Sequence, residues 1–445
     1  MISVTGCSDS SVSSIKPVCE EIPEIYARLP GNLLCEDETW TRDTTVAGPH
    51  IVLPGVTLTV EEGVTVTFTY HNGNPADVGT IITLPADDQR FAAPRPTAKL
   101  IAEGTAENPV VFTSDRKEIN SWGGITMVGR ARNNIPGETG SIEGLEEVVQ
   151  YGGRNDADNS GILRYVRIEY AGFSIAEGSE LQSLSLYSVG RQTTIDHVNI
   201  FESSDDGVEL FGGTVDFRYI VVYGAADDSF DFDQGWQGRG QFWLGVQESG
   251  ADNGFEADGC AELFKCQGGN GPTAPRISNV TLVGAGNIQK TNHGLLFREN
   301  LEGQYANIIL TGFDGYHWLL EGQNGGTDGG SQMNDDRDNT FENYGSTLQL
   351  LNVVLQDNNG WELDDHRRRY ISSYTLADSD DPAQIFTDPE RYDFSLPAGS
   401  VYLSGGQVPE DSWFEDVSFR GAFGTENWVR SGSWVRWPQK LGWHA

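Results

Sequence analysis

Six short segments repeat between residues 206 and 363 of this chain, and their spacing restricts the fold more than any other feature. Asp206-Gly207-Val208-Glu209-Leu210 is followed by Asp228-Ser229-Phe230-Asp231-Phe232 and Asn253-Gly254-Phe255-Glu256-Ala257. His293-Gly294-Leu295-Leu296-Phe297, Asp314-Gly315-Tyr316-His317-Trp318 and Asn359-Gly360-Trp361-Glu362-Leu363 continue the series. From Gly207 to Gly360 the intervals are 22, 25, 40, 21 and 45 residues. Each unit opens on a turn pair that tolerates positive φ. The residues after it alternate as a strand does. A period just above twenty with no helical pattern predicts stacked β coils, a right-handed parallel β-helix, rather than a leucine-rich or ankyrin array. The two long intervals read as two coils, or as one coil with an inserted loop. An antiparallel sandwich of many short strands is the competing fold.

A second series runs in step with the first. Arg164-Tyr165-Val166-Arg167-Ile168, Asp196-His197-Val198-Asn199-Ile200, Ser278-Asn279-Val280-Thr281-Leu282, Ala306-Asn307-Ile308-Ile309-Leu310 and Leu351-Asn352-Val353-Val354-Leu355 resemble one another and predict another wall of the same coil. Clean alternation begins earlier, at Val56-Thr57-Leu58-Thr59-Val60 and Val64-Thr65-Val66-Thr67-Phe68. Residues 71–97, rich in Pro, Gly and Asp, read as a projecting loop. The organisation expected is a leader and N-terminal cap over 1–40, a β-helix over 41–400, and a capping or docking segment over 401–445.

Charge narrows the function. A net charge of −36 and a pI near 4.3 exclude nucleic acid as a partner, because a phosphate backbone would be repelled. Such acidity suits a solvated extracellular surface, cation binding, or both. The spacings of the five cysteines match no zinc or haem pattern. Cys19 with Cys35, and Cys260 with Cys266, read as two local disulfides of an exported protein, with reduced buried thiols as the alternative. Cys7 is left over.

Further runs carry a family likeness. Leu58 to Gly63, Ala102 to Ser114, Trp122-Gly123-Gly124-Ile125 and Asp158 to Tyr170 resemble bacterial surface and secreted β-helix proteins of the pectin-lyase-like class. Phe419 to Gly424, followed by Asn427-Trp428, extends the likeness, which covers roughly residues 50–430. The resemblance implies a parallel β-helix at the outer surface of a bacterium, often lipid-anchored, and leaves the chemistry unassigned. Cys7, in Val4-Thr5-Gly6-Cys7-Ser8, resembles the site at which bacterial lipoproteins are lipidated. No basic and apolar leader precedes it within this sequence, so a start further upstream and an accidental similarity are both open. Any membrane association is expected only through such an anchor.

Several residue groups could carry chemistry. Asp156, Asp158 and Ser160, in Asp156-Ala157-Asp158-Asn159-Ser160-Gly161, have the alternate-oxygen spacing of a small calcium loop. Arg167 stands where the closing glutamate of an EF-hand would be, and an Asx turn explains the run equally well. Glu209, Asp231 and Glu256 align as an outward ladder, joined by Asp205, Asp206, Asp227, Asp228 and Asp233. Carboxylates stacked about 4.8 Å apart repel unless protonated, screened or bridged, so Ca2+ is the expected bridge and a splayed, solvated face the alternative. Trp236 and Trp243 lie in a glycine-rich run with Phe242 and could stack on sugar rings, the alternative being core use of Phe242 and a lid role for the tryptophans. Arg430, Trp434, Arg436, Trp437 and Trp443 make a basic, aromatic end on an acidic chain, suited to capping or to docking on the acidic N-terminal coils.

Asp205-Asp206 and His293-Gly294 partly match polysaccharide hydrolases of this fold, but 88 residues separate Asp205 from His293. No compact acid/base pair is apparent. The expectation is therefore a non-enzymatic extracellular structural or adhesive β-helix, able to bind Ca2+ and to assemble head-to-tail into filaments. Its partners are expected to be further copies of itself or a surface glycan. The alternative is a polysaccharide lyase, hydrolase or glycan-binding module on the same fold.

Overall fold

Thr57-Leu58-Thr59-Val60 shows how each coil forms. Leu58 and Val60 turn into a closed lumen, 0% and 1% exposed, while the threonines between them face outward. The computed structural model describes residues 16–70, 77–87, 89–142, 145, 148–176, 179–260, 270–286, 293–313, 318–320, 347–356, 367–377 and 381–438. Among these, nearly every strand pairs in parallel with the strand one coil later, so the chain is a parallel β-helix.

Sheet 1 runs through Asn32–Leu34, Pro49–Val52, Thr80–Thr83, Ile125–Val128, Leu184–Tyr187, Val208–Phe211, Phe230–Asp233, Asn253–Asp258, His293–Arg298 and Trp318–Leu320. The turn-strand units of the first repeat are its later rungs. The Asp314-Gly315 turn and the Asn359-Gly360 unit lie outside the described residues. Sheet 2 runs from Glu38–Trp40 and Thr57–Val60 through the long strands Gly161–Glu169, Thr194–Ser203, Asp216–Ala225, Arg239–Val246, Arg276–Val283 and Gln304–Thr311, ending at Val353–Gln356 and Tyr374–Ala377.

The second repeat belongs to sheet 2 and hides a bend. Its second residue, in the left-handed region, makes a corner in each coil. Tyr165, His197, Tyr219, Phe242, Asn279, Asn307 and Asn352 all have φ between 49° and 61°, and pairing skips this position while continuing on both sides of it. Asparagine is the non-glycine residue that accepts this conformation at low cost. In the earlier coils aromatic stacking holds it instead: His197 lies between Tyr165 and Tyr219, with ring centroids 4.3 and 4.4 Å away.

Residues 71–97 are not one loop. Thr80–Thr83 is a buried rung of sheet 1, paired in register with Pro49–Val52 and Ile125–Val128. The proline, glycine and aspartate on either side disguise four residues that alternate too little to stand out. The lumen is filled by aliphatic rows and large rings, Phe68 stacking on Trp122 at 4.4 Å and Phe230 on Trp243 at 4.8 Å.

Beyond Ala377 the chain leaves the solenoid. Residues 381–438 form an irregular strap that runs back along the outer face of sheet 2. Gly421 meets Asn307, Glu415 meets Gln241, and Ser433 reaches the Ala106 carbonyl in an early coil. Ile385, Phe386, Phe394, Leu396, Phe423, Val429 and Trp434 bury there against Phe201, Val221, Tyr223, Leu244, Val246, Val283 and Ile309. No described helix is long and apolar enough to cross a membrane.

Candidate functional site: a carboxylate ladder on sheet 1

Three consecutive rungs of sheet 1 set the site. Parallel register places Glu209 beside Asp231 and Asp231 beside Glu256. Alternation sends Val208, Phe230 and Phe255 into the lumen and these three acids outward, as expected from the repeat. One residue row away, Asp206 and Asp228 occupy the turns that begin the rungs. Each is locked by its own coil stacking, since Asp206 Oδ1 accepts the Asp228 amide at 2.9 Å and Asp228 Oδ1 accepts the Asn253 amide at 2.5 Å.

The acids come close enough to share an ion. One ligand oxygen from each of Asp206, Glu209 and Asp231 lies within 4.8 Å of the other two, and the same holds for Asp228, Asp231 and Glu256, and for Asp227, Asp228 and Asp252. Oxygens about 2.3–2.6 Å from one calcium can stand at most about 5 Å apart. All three triads satisfy that limit, and Asp231 and Asp228 are each shared by two of them. Neutral oxygen is present too. Asn253, 1% exposed, donates Nδ2 to Glu256 at 3.3 Å, while its Oδ1 is buried without a hydrogen bond from any described residue. Asp231 Oδ1 and Asp233 Oδ1 are in the same condition.

Burial and mutual repulsion shift the titrations together. Asp206, Asp228, Asp231 and Asp233 are held well above the usual carboxylate range, by burial first and by neighbouring carboxylates second. Asp205 is pushed up to about 6 by burial and by Asp227. Glu256 is pushed up to about 7, burial outweighing the opposing pull of Arg298. Glu299 also rises to about 7, through burial and Asp258.

One cation of the protein limits the cluster at its C-terminal side. Arg298 pairs with Glu256 and meets Asp258 through Nε at 2.7 Å. Those carboxylates more than offset its burial and raise its pKa. Arg298, Asp258, Asp252 and Asn253 were not among the expected site residues. Extending the repeat by a single position reveals the first two, since Phe211, Asp233, Asp258 and Arg298 occupy the sixth place of successive units.

Other expectations need correction. Asp156, Asp158 and Ser160 do not make a calcium loop. Arg132 takes the Asp156 carboxylate, with Nε at 2.8 Å, and Asp158, 5% exposed, accepts the Thr97 hydroxyl at 2.7 Å and the Arg130 amide at 2.8 Å. The carboxylate oxygens of Asp156 and Asp158 are thus already used to tie coils together, while Ser160 Oγ is buried without a hydrogen bond from any described residue. Trp236 and Trp243 are each 0% exposed in the lumen, with Trp236 Nε1 donating to the Val215 carbonyl at 3.1 Å, so neither can stack on a sugar.

Most of the described basic, aromatic end is likewise engaged within the chain. Trp434 is 0% exposed, Arg436 pairs with the buried Glu169 at 2.8 Å, Trp437 stacks on Tyr392 at 4.5 Å, and Arg430 donates to the Arg391 carbonyl at 2.5 Å. The strap carries the described ones among these residues back along sheet 2 toward the early coils instead of past the last one. Cys19 and Cys35 are bonded, with Cα atoms 4.8 Å apart. Cys7, Cys266 and Trp443 lie outside the described residues, while Cys260 is buried, 5% exposed.

A family model described as a pectate-lyase like beta helix domain matches residues 34–360. No curated protein and no solved structure matches the chain.

Proposed function

The chain belongs to the pectate-lyase-like β-helix family, and from that premise we propose that it is an exported structural or adhesive β-helix whose sheet 1 face holds divalent cations, calcium foremost. The observation that carries this reading is the run of three overlapping carboxylate triads in register across successive coils. Asp206, Glu209, Asp228, Asp231 and Glu256 would hold the ion, with Asp227 and Asp252 at the adjoining position. A hard cation supplies the charge that stacked carboxylates require, and oxygen-only donors suit calcium better than softer metals. The Cys19–Cys35 disulfide supports an oxidising, extracellular location, at the outer surface of a bacterium or beyond it. A surface glycan rich in carboxylates is the partner chemistry that a calcium-lined face would take up.

Isothermal titration of the chelator-treated protein with CaCl2 tests the reading. Binding at micromolar to millimolar calcium is expected, as for extracellular calcium modules, together with a rise in unfolding temperature. A flat titration with an unchanged unfolding temperature would overturn it.

A second reading rests on Glu256 and Glu299, whose pKa values near 7 suit proton transfer at neutral pH beside Arg298. It makes the same face the site of a polysaccharide lyase or hydrolase. Incubation with acidic polysaccharides that releases neither unsaturated nor reducing ends would remove it.

A further inference from the structure

The acid ladder on sheet 1 has defined ends. In register, Glu209 follows Ser185 and Glu256 precedes Leu296, so the outward row of carboxylates stops after Glu209, Asp231 and Glu256. The neighbouring row stops on the same rung, because Asp258 stands in register with Arg298. Both Asp258 oxygens meet that guanidinium, at 2.7 and 2.8 Å, and its Nη2 also reaches Glu256. A guanidinium gripped through two parallel bonds is a fixed charge.

The oxygen triads are not equivalent. Asp206, Glu209 and Asp231 share no residue with Asp227, Asp228 and Asp252. The triad between them has no carboxylate to itself, since Asp228 belongs to one neighbour, Asp231 to the other, and Glu256 is paired with Arg298. A neutral donor stands ready beside the carboxylates. Asn253, 1% exposed, is turned into the cluster: its backbone amide donates to Asp228 at 2.5 Å and its Nδ2 to Glu256 at 3.3 Å. With Nδ2 committed there, Oδ1 is left buried without a hydrogen bond from any described residue. Such an oxygen is costly to leave unpaired, and a hard cation satisfies it.

We propose that the ladder takes two divalent cations, one at each outer triad, and that Arg298 stands as the resident cation of the middle one. The inference rests on the calcium reading above and divides the same carboxylates between two ions and one guanidinium. A third ion would have to share Asp228 and Asp231 with its neighbours and displace Arg298 from Glu256. Neutralising Arg298 removes that barrier and releases Glu256 and Asp258, so the middle position opens to a further ion.

Equilibrium dialysis of the full chain against CaCl2 counts the saturable ions, in about 0.15 M KCl, where the Debye length is about 8 Å and diffuse counterions are screened. About two ions per chain are expected for the parent. Glu209→Gln and Asp252→Asn, each confined to one outer triad, should each lower the count to about one. Arg298→Gln should raise it to about three, and Arg298→Lys, which keeps the charge, should leave it at about two. Arg298→Met serves as the second neutral variant if Arg298→Gln loses its β circular dichroism. A parent that takes no saturable calcium would overturn the calcium reading and this inference with it. A parent that holds about one or about three ions, the loss of both ions on either single carboxylate substitution, or a count unmoved by neutralising Arg298 would leave the calcium reading standing and overturn this inference alone.

Discussion

In sheet 2 the side chains that point away from the lumen include Val221, Leu244, Val283, Ile309 and Val354, and the strap covers them. In sheet 1, equivalent outward positions on coils of the same solenoid carry Glu209, Asp231 and Glu256, whereas the described apolar contacts of the strap are with sheet 2. The backbone frame is common to both faces, so the difference lies in what each row of side chains asks of its surroundings. An apolar row gains roughly 25 cal/mol for each Å2 removed from water, and the chain supplies its own cover. A carboxylate row gains nothing from cover and repels itself, so beyond what Arg298 neutralises it is eased by protons or by cations from outside. One face serves stability; the other, on the function proposed above, is left for a ligand.

The largest expected effect comes from damaging the cover. Trp434→Ala removes a wholly buried indole that packs edge-on against Tyr165 and His197. It should cost about 3–5 kcal/mol, measured by urea unfolding in EDTA. Calcium-induced stabilisation should survive unchanged, because the strap does not contribute to the acid ladder. Loss of the calcium response as well would mean that the two faces are coupled, and the comparison would fail.

An intermediate effect is expected from pH, with a sign opposite to that of most acidic proteins. Glu256 and Glu299 lie at about 7 and Asp205 at about 6, above the ordinary 4.5 of glutamate and 3.8 of aspartate. Between the ordinary value and the raised one, the folded chain binds more protons than the unfolded chain. Stability therefore falls as pH rises through that interval. In EDTA the protein should be more stable at pH 5 than at pH 7.5, by on the order of 2–3 kcal/mol. Millimolar calcium should remove most of the difference by taking the place of the protons. Thermal unfolding at both pH values, with and without calcium, checks both statements. Greater stability at pH 7.5 in EDTA would show that the ladder is already neutralised within the chain.

The same contrast explains what could be read from the residues alone. Rungs that begin with an Asp-Gly or Asn-Gly turn and alternate afterwards announce themselves, and Glu209, Asp231 and Glu256 fall in register as expected. Thr80–Thr83 was obscured because all four of its residues are buried, which erases alternation. The strap was illegible for a different reason. Its residues 381–438 have no period, and they bury against partners as distant as Ala106. A basic, aromatic segment without a period looks the same whether it docks on another molecule or on its own chain. The lumen placement of Trp236 and Trp243 was hidden too, since a glycine-rich neighbourhood suggests a sugar platform or a lid and gives no sign of a tight lumen. Local pattern thus specifies neighbours one coil apart, and long-range cover is decided by which apolar row is left open.

The smallest expected effect is the most discriminating. Asp231 lies between Glu209 and Glu256 and belongs to two of the three oxygen triads. Asp231→Asn keeps the shape and removes one charge. In EDTA at pH 7.5 it relieves repulsion at the centre of the ladder, and the variant should be more stable than the parent by about 1 kcal/mol. In millimolar calcium the order should reverse, because the variant loses a charged ligand shared by adjoining positions, and ligand stabilisation scales with affinity. Urea midpoints of the two proteins in both solutions give four numbers, and the prediction is a crossing. A variant less stable in both solutions would mean that the Asp231 carboxylate already makes a favourable contact within the chain. A variant more stable in both would leave the ladder as a solvated acidic face without an ion.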